Sequence, residues 1–235
     1  MINYSHPVFV LVRSLGQKLG ILRPAVRVVR WLFSAPYENK FDSEMLSLIS
    51  SGDVVWDVGA NVGFFTTKFA DKVGVTGIVY AFEPSVRTYA TLESNCSKYL
   101  NVICKNLGLS ERSGSLSFRE TGVENDPTNG LVDEGTPGSV RVLVASGDEL
   151  VKDKSFSVPN AIKIDVEGFE VEVIKGMREV INNIALKKIF VEVHFLEMSK
   201  RGLKNGSTEI VQIIQESGFT LKWTDPSHFI AVRKE

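Results

Sequence analysis

Four ionisable residues at the ends of two apolar segments are the first candidates for chemistry. The stretch "AIKIDVEGFEVEVIKGM", residues 161–177, runs through Ala161-Ile162-Lys163-Ile164 as a buried strand and leaves the core at two acids, Asp165 and Glu167. Gly168 follows and a helix begins. The stretch "IFVEVHF", residues 189–195, reads as another strand. Side chains alternate across a strand, so Glu192 and His194 share one face. Carboxylates beside an imidazole offer two chemistries. One is general-base catalysis, since histidine has an unperturbed pKa of about 6.5. The other is ligation of a divalent cation that would acidify a bound hydroxyl. A structural alternative is helix capping, because acids near a helix start meet its free N–H groups and its dipole. That alternative suits Glu167, which directly precedes Gly168. Glu170 and Glu172 are expected on the solvated side of the helix, and His6 and His228 have no comparable context.

A second group lies earlier. "VVWDVGANVGFFT", residues 54–66, is a strand ending at Asp57, a glycine-rich turn, and a helix opening near Gly63. Gly59 and Gly63 lack side chains that would keep a ligand from the backbone, and Asn61 tolerates the left-handed conformation of tight turns. The helix start beyond offers free N–H groups. Such a turn at the carboxyl end of a first strand is a nucleotide-type site. Phe64 stands where the dinucleotide fingerprint wants glycine or alanine, which disfavours an NAD-dependent oxidoreductase. In "IVYAFEPS", Glu83 follows the next strand, 24 residues after Gly59. An ionised carboxylate there can accept from both ribose hydroxyls.

The elements that must position these residues alternate. Short apolar strands at 54–56, 77–82, 102–104, 162–164 and 189–191 are interleaved with helices at 63–72, 86–97, 169–183 and 207–217. A closing hairpin runs from Phe219-Thr220-Leu221-Lys222-Trp223 through Asp225-Pro226 to Phe229-Ile230-Ala231-Val232. This pattern predicts a parallel sheet covered on both faces, with one antiparallel strand from the hairpin. Residues 115–118 and 140–144 read as extra strands. The segment between them, "ETGVENDPTNGLVDEGTPGS", carries five acids, no bases, four glycines and two prolines, as a lid or a disordered loop would.

Taken together, "DVGANVG", "FEP", "IKIDVEGFEVEVIKG" and "IFVEVH" resemble the FkbM-type methyltransferases, which use S-adenosylmethionine (SAM). The resemblance covers roughly residues 40–197. It implies an α/β, Rossmann-like class I methyltransferase fold: a seven-stranded, mostly parallel sheet with one antiparallel strand, here spanning residues 38–235. It further implies that Asp57, Gly59, Asn61 and Gly63 line the methionine end of SAM and that Glu83 holds the ribose. Leu107, in "NLGLS", would lie in the segment bordering adenine. The 162–164 strand would lie beside the first, so Asp165, Glu192 and His194 would converge near the transferred methyl group. The implied reaction is O-methylation of a hydroxyl on a sugar, glycolipid or secondary metabolite. A divalent metal is the unfavoured alternative for activating that hydroxyl. A different class of function, a non-catalytic binding or scaffold protein on the same fold, is opposed by the intact glycine turn and acids.

Size and charge bound the rest. The chain has 235 residues, 43% hydrophobic and 23% charged, with a formal net charge of −1, which suits one domain with additions and gives no reason to expect nucleic acid. Cys96 and Cys104 have neither disulfide-framework nor metal-ligand spacing and read as core thiols of a protein in a reducing, cytoplasmic setting. Residues 1–37 carry Arg13, Lys18, Arg23, Arg27 and Arg30 but no acid, with apolar residues at helical spacing. They predict a basic amphipathic helical extension. Its apolar face would pack on the main domain or on a second copy in a homodimer. The alternative is a peripheral arm, residues 1–34, on the inner face of a membrane. Its longest apolar run is too short to span one.

Overall fold

A computed structural model describes residues 40–119, 130–132 and 135–234. The N-terminal extension and most of the acidic segment lie outside these residues, as do the expectations made for them.

A helix over residues 40–48 (α1) precedes β1 (Val54–Val58), α2 (Phe64–Val73), β2 (Ile78–Phe82), α3 (Val86–Cys96) and β3 (Val102–Lys105). A smaller unit follows: β4 (Gly108–Leu109), β5 (Gly114–Arg119), β6 (Gly130–Val132) and β7 (Ser139–Ala145). Then come α4 (Gly147–Lys152), β8 (Ala161–Ile164), α5 (Glu170–Lys175), α6 (Arg178–Asn182), β9 (Lys188–Glu192), α7 (Phe195–Lys200), α8 (Gly206–Glu216), β10 (Phe219–Trp223) and β11 (His228–Arg233).

The main sheet has seven strands in the order β10-β11-β9-β8-β1-β2-β3, and β11 runs antiparallel to both neighbours while the other pairings are parallel. Period-two alternation sends Trp56, Val58, Ile162, Ile164, Ile189 and Val191 to a core shared with α5, α6 and α8. The intervening Val55, Val79, Ala161, Phe190 and Ile230 meet Phe41, Met45 and Ile49 from the α1 segment and Phe69 from α2. The sheet is therefore covered on both faces, and its strand order reverses between β1 and β8. In such sheets that reversal opens a crevice beyond the strands' carboxyl ends. The second sheet has the order β4-β7-β5-β6 and packs Phe118, Val142 and Val144 against Phe169, at the start of α5.

One expected helix, 169–183, is two. A Cβ on Gly176 would sit 2.0 Å from the Ser110 carbonyl oxygen, so the backbone there is pressed against the segment after β4. The Gly176 carbonyl accepts from the Ser146 hydroxyl (2.9 Å) and the Asp148 N–H (2.9 Å). Asp148 then caps the second helix by accepting from the N–H groups of Glu179 and Val180.

Candidate active site

The turn after β1 folds on itself. The N–H groups of Gly59 and Ala60 both donate to the Phe82 carbonyl at the end of β2, at 3.1 and 3.0 Å. Gly59 has φ +77, and a Cβ there would stand 1.8 Å from the Asp165 carbonyl oxygen. Gly63 has φ +91, and its Cβ would meet Leu92 at 2.9 Å. Both glycines thus have an internal packing reason, beyond any ligand. Asn61 takes the expected left-handed conformation, φ 50, and its N–H donates to Glu83 Oε2 at 3.0 Å. Glu83 Oε1 accepts from the Ser85 N–H at 2.9 Å. The Glu83 carboxyl is pushed up to about 7: burial raises it most, the two N–H bonds pull it down, and Asp57 and Asp165 add to the rise. Asn106 donates to the Glu83 and Pro84 carbonyls, both at 2.9 Å, which ties the segment bearing half-buried Leu107 to the end of β2.

The floor of the crevice is an ion pair that sequence reading passed over. The parallel register sets Lys163 of β8 beside Asp57 of β1, and both are buried. Lys163 Nζ lies 3.4 Å from Asp57 Oδ1 and 3.3 Å from Asp165 Oδ2. Asp57 Oδ2 accepts from the Thr66 hydroxyl at 2.7 Å. Burial opposes the lysine's charge, yet Asp165 and Asp57 outweigh it and hold its pKa above the ordinary value. For Asp57 burial wins over Lys163 and Thr66, and its carboxyl is pushed up. The available signal was a lone lysine inside an apolar strand, two residues before Asp165 and so on the same face.

His194, just beyond β9, is the centre of the acid cluster. Its Nδ1 is 2.8 Å from Glu170 Oε1, and since a carboxylate only accepts, Nδ1–H is the donor. Its Nε2 lies 3.2 Å from Glu167 Oε2 and 3.8 Å from both Asp165 Oδ1 and Glu192 Oε1. Asp165, Glu192 and His194 therefore come together, and two unexpected acids join them. Glu167 adopts φ 51 and Gly168 φ 99, so Glu167 does shape the turn, while its carboxylate faces the imidazole. Glu170, expected on the solvated helix face, is fully buried and also accepts the Gly168 N–H at 3.0 Å. Glu172 is half-buried against Arg201.

The charges respond. Burial opposes the His194 cation, but Glu170, Glu167 and Asp165 push its pKa up to about 10, so the free imidazole is not the poised base its ordinary value suggests. Glu167 is pushed up to about 7, first by burial and then by Asp165, Glu192 and Glu170, while His194 pulls it down. Burial works against Glu192 too, yet the His228 hydrogen bond and the two imidazolium charges hold its carboxyl well below the usual range. His228 is not incidental: it bridges Glu192 Oε2 (3.3 Å) and Asp225 Oδ1 (2.9 Å).

The profile of the methyltransferase FkbM domain matches residues 57–221, which run from Asp57 through Glu83 and Asp165 to His194. The chain belongs to the FkbM methyltransferase family. Hexuronic acid methyltransferase AglP of Haloferax volcanii is 36% identical over 151 residues, 64% of this FkbM-family chain and 59% of that protein. The matched region thus spans under two thirds of that relative's length. The crystal structure of an FkbM methyltransferase from Methylobacillus flagellatus KT is similar with a TM-score of 0.52, at 17% identity over 77% of this chain and 43% of that one. A candidate rRNA methylase from Clostridium thermocellum gives 0.54, at 13% identity over 84% and 94%. At such identities these structures speak to the fold alone, which is that of the class I methyltransferases.

Proposed function

We propose that this chain transfers a methyl group from S-adenosylmethionine to a hydroxyl oxygen of a sugar, glycolipid or secondary metabolite. The observation that carries the reading is convergence: the glycine turn after β1, the buried Glu83 after β2 and the acid–histidine cluster after β8 and β9 all open on the crevice at the strand-order reversal. The residues suit the cofactor. Two N–H donors serve a Glu83 carboxylate with about four lone-pair directions, which leaves capacity for two ribose hydroxyls. Asp57, Gly59, Asn61 and Gly63 would line the methionine end, and Leu107 the adenine. Bound SAM supplies an electrophilic methyl group on a sulfonium. A carboxylate of the Asp165, Glu167 and Glu192 group would take the proton of the acceptor hydroxyl, which would leave its oxygen as the nucleophile for that methyl group. With no other cation in the cluster, His194 is itself cationic and gathers these carboxylates rather than taking the proton first.

The relative that acts on a hexuronic acid supports a sugar acceptor. Hexuronic acids carry both hydroxyls and a carboxylate. A crevice wall of several carboxylates repels an anion and suits a neutral hydroxyl. The test is calorimetric titration with SAM, then incubation with labelled SAM and a uronic-acid oligosaccharide. An alkali-stable methyl ether is expected. Absence of SAM binding by folded protein overturns the reading, and an alkali-labile methyl ester overturns the choice of hydroxyl. Asp165→Ala and His194→Ala should each lower turnover more than SAM affinity.

A further inference from the structure

The acid–histidine cluster carries a donor set that neither a turn nor a helix cap requires. One ligand atom each from Asp165, Glu167 and His194 can be chosen so that all lie within 4.8 Å of one another. The separations from His194 Nε2, 3.2 Å to Glu167 and 3.8 Å to Asp165, are informative. Ligands bound at about 2.1 Å to one ion, roughly 90–120° apart, stand about 3.0–3.7 Å from each other. Small side-chain rotations therefore separate the cluster from one face of a coordination sphere.

The imidazole is also presented as a ligand. Glu170 is fully buried, accepts from Nδ1–H at 2.8 Å, and is itself fixed by the Gly168 N–H at 3.0 Å. Fixing the proton on Nδ1 leaves the Nε2 lone pair as the outward donor, the arrangement that supports metal-bound histidines. The second Glu170 oxygen is buried with no hydrogen-bond partner among the described residues, so His194 and one N–H are what this carboxylate serves. Around Nε2 stand three carboxylates, Asp165, Glu167 and Glu192. Lys163 is engaged by Asp57 and Asp165, and His228 by Asp225 and Glu192. A lone pair facing three carboxylates calls for a cation between them, and a proton is the smallest that serves.

We infer that Asp165, Glu167 and His194 bind one divalent metal ion, of the kind that accepts mixed oxygen and nitrogen ligands, and that this ion receives the acceptor oxygen. Two carboxylates and one imidazole suit Mn²⁺ and its neighbours better than a thiolate-seeking metal. The use of the ion rests on the methyl-transfer reading above; its binding does not. An ion-bound hydroxyl releases its proton more readily. Glu192, outside the ligand set and 3.8 Å from Nε2, is placed to accept it.

The test titrates the full chain with Mn²⁺ alone and follows the loss of the free ion's six-line electron paramagnetic resonance signal. One ion per chain is expected, with nitrogen modulation of the bound signal from a directly coordinated imidazole. His194→Gln should abolish that modulation, and His194→Gln and Asp165→Asn should each weaken binding about tenfold or more. Glu170→Gln should weaken it about tenfold while keeping the nitrogen signal. Glu209→Gln, on α8 and paired with Lys175, should change nothing. Circular dichroism checks that each variant is folded. Wild-type protein that binds SAM yet leaves millimolar Mn²⁺ free overturns the inference, as does a bound ion without nitrogen modulation. Mn²⁺ bound with nitrogen modulation by protein that fails to bind SAM would uphold the ion site and overturn the methyl-transfer reading instead.

Discussion

Replacing Lys163 with methionine tests whether the crevice floor is an ion pair held against its own burial. Asp57 and Lys163 are both enclosed, and without the ammonium Asp57 keeps, among the described residues, only the Thr66 hydroxyl as a side-chain partner. Removing one member of a buried pair costs about 3–5 kcal/mol, because the other charge stays desolvated. Methionine nearly preserves volume, so the packing contribution is small. Asp165 also loses a partner, but it is 28% exposed and water compensates. A loss of about 4 kcal/mol should lower Tm by about 8–16 °C in a domain of this size. Urea and thermal unfolding followed by circular dichroism would measure it. The second arm is Asp57→Asn in the same background, which removes the stranded charge and should restore at least half of the loss. The pH sign follows from Asp57, whose folded pKa lies above its unfolded one. Its contribution is fully present below the ordinary carboxylate range and lost as pH rises through the folded value. Without Lys163 that value climbs further, so the deficit should grow from pH 5 to pH 8. A Lys163→Met protein within about 1 kcal/mol of wild type, or one not rescued by Asp57→Asn, would refute the reasoning.

Glu83 has its carboxyl pushed up to about 7, and an ionised carboxylate is the better acceptor for ribose, so SAM affinity should rise between pH 6 and pH 8 and release a proton; calorimetry with Glu83→Gln should show weaker binding without that slope. Gly59→Ala would drive a Cβ into the Asp165 carbonyl at φ +77 and should destabilise the protein by about 2 kcal/mol or more, read by urea unfolding. His228 has its pKa pushed up to about 10 by Asp225 and Glu192 despite burial. Its stabilisation is whole below about pH 6.5 and lost as pH rises through 10, so the stability gap between wild type and His228→Gln should narrow between pH 7 and pH 10.

Much of this was legible in the sequence. The place of β8 beside β1, an antiparallel strand from the closing hairpin and the meeting of Asp165, Glu192 and His194 followed from alternation, spacing and family resemblance. What escaped was cross-strand or end-of-helix information. Lys163 had no role assigned to it within its apolar strand, and only the register sets it beside Asp57. Glu170 was misplaced because periodicity was extended over a single long helix. As the first residue of a six-residue helix its side chain leans back towards the strand end, where His194 sits. His228 needed the β11–β9 register, which pairs it with Glu192.

The hydrogen atom of Gly59 has a consequence for how such a crevice can change. Its place against the Asp165 carbonyl welds the loop assigned to the cofactor to the strand end assigned to the acceptor. The two halves share one backbone joint with no slack for even a methyl group. Neither can be re-aimed without moving the other, so new acceptors cannot be accommodated by hinging this frame open. Diversity must be hung on it from outside: on side chains that reach over the rim and on the appended β4-β7-β5-β6 sheet, whose Phe118 and Val142 touch the frame through Phe169. The frame supplies a fixed coordinate system, and the attachments choose what is brought to its origin.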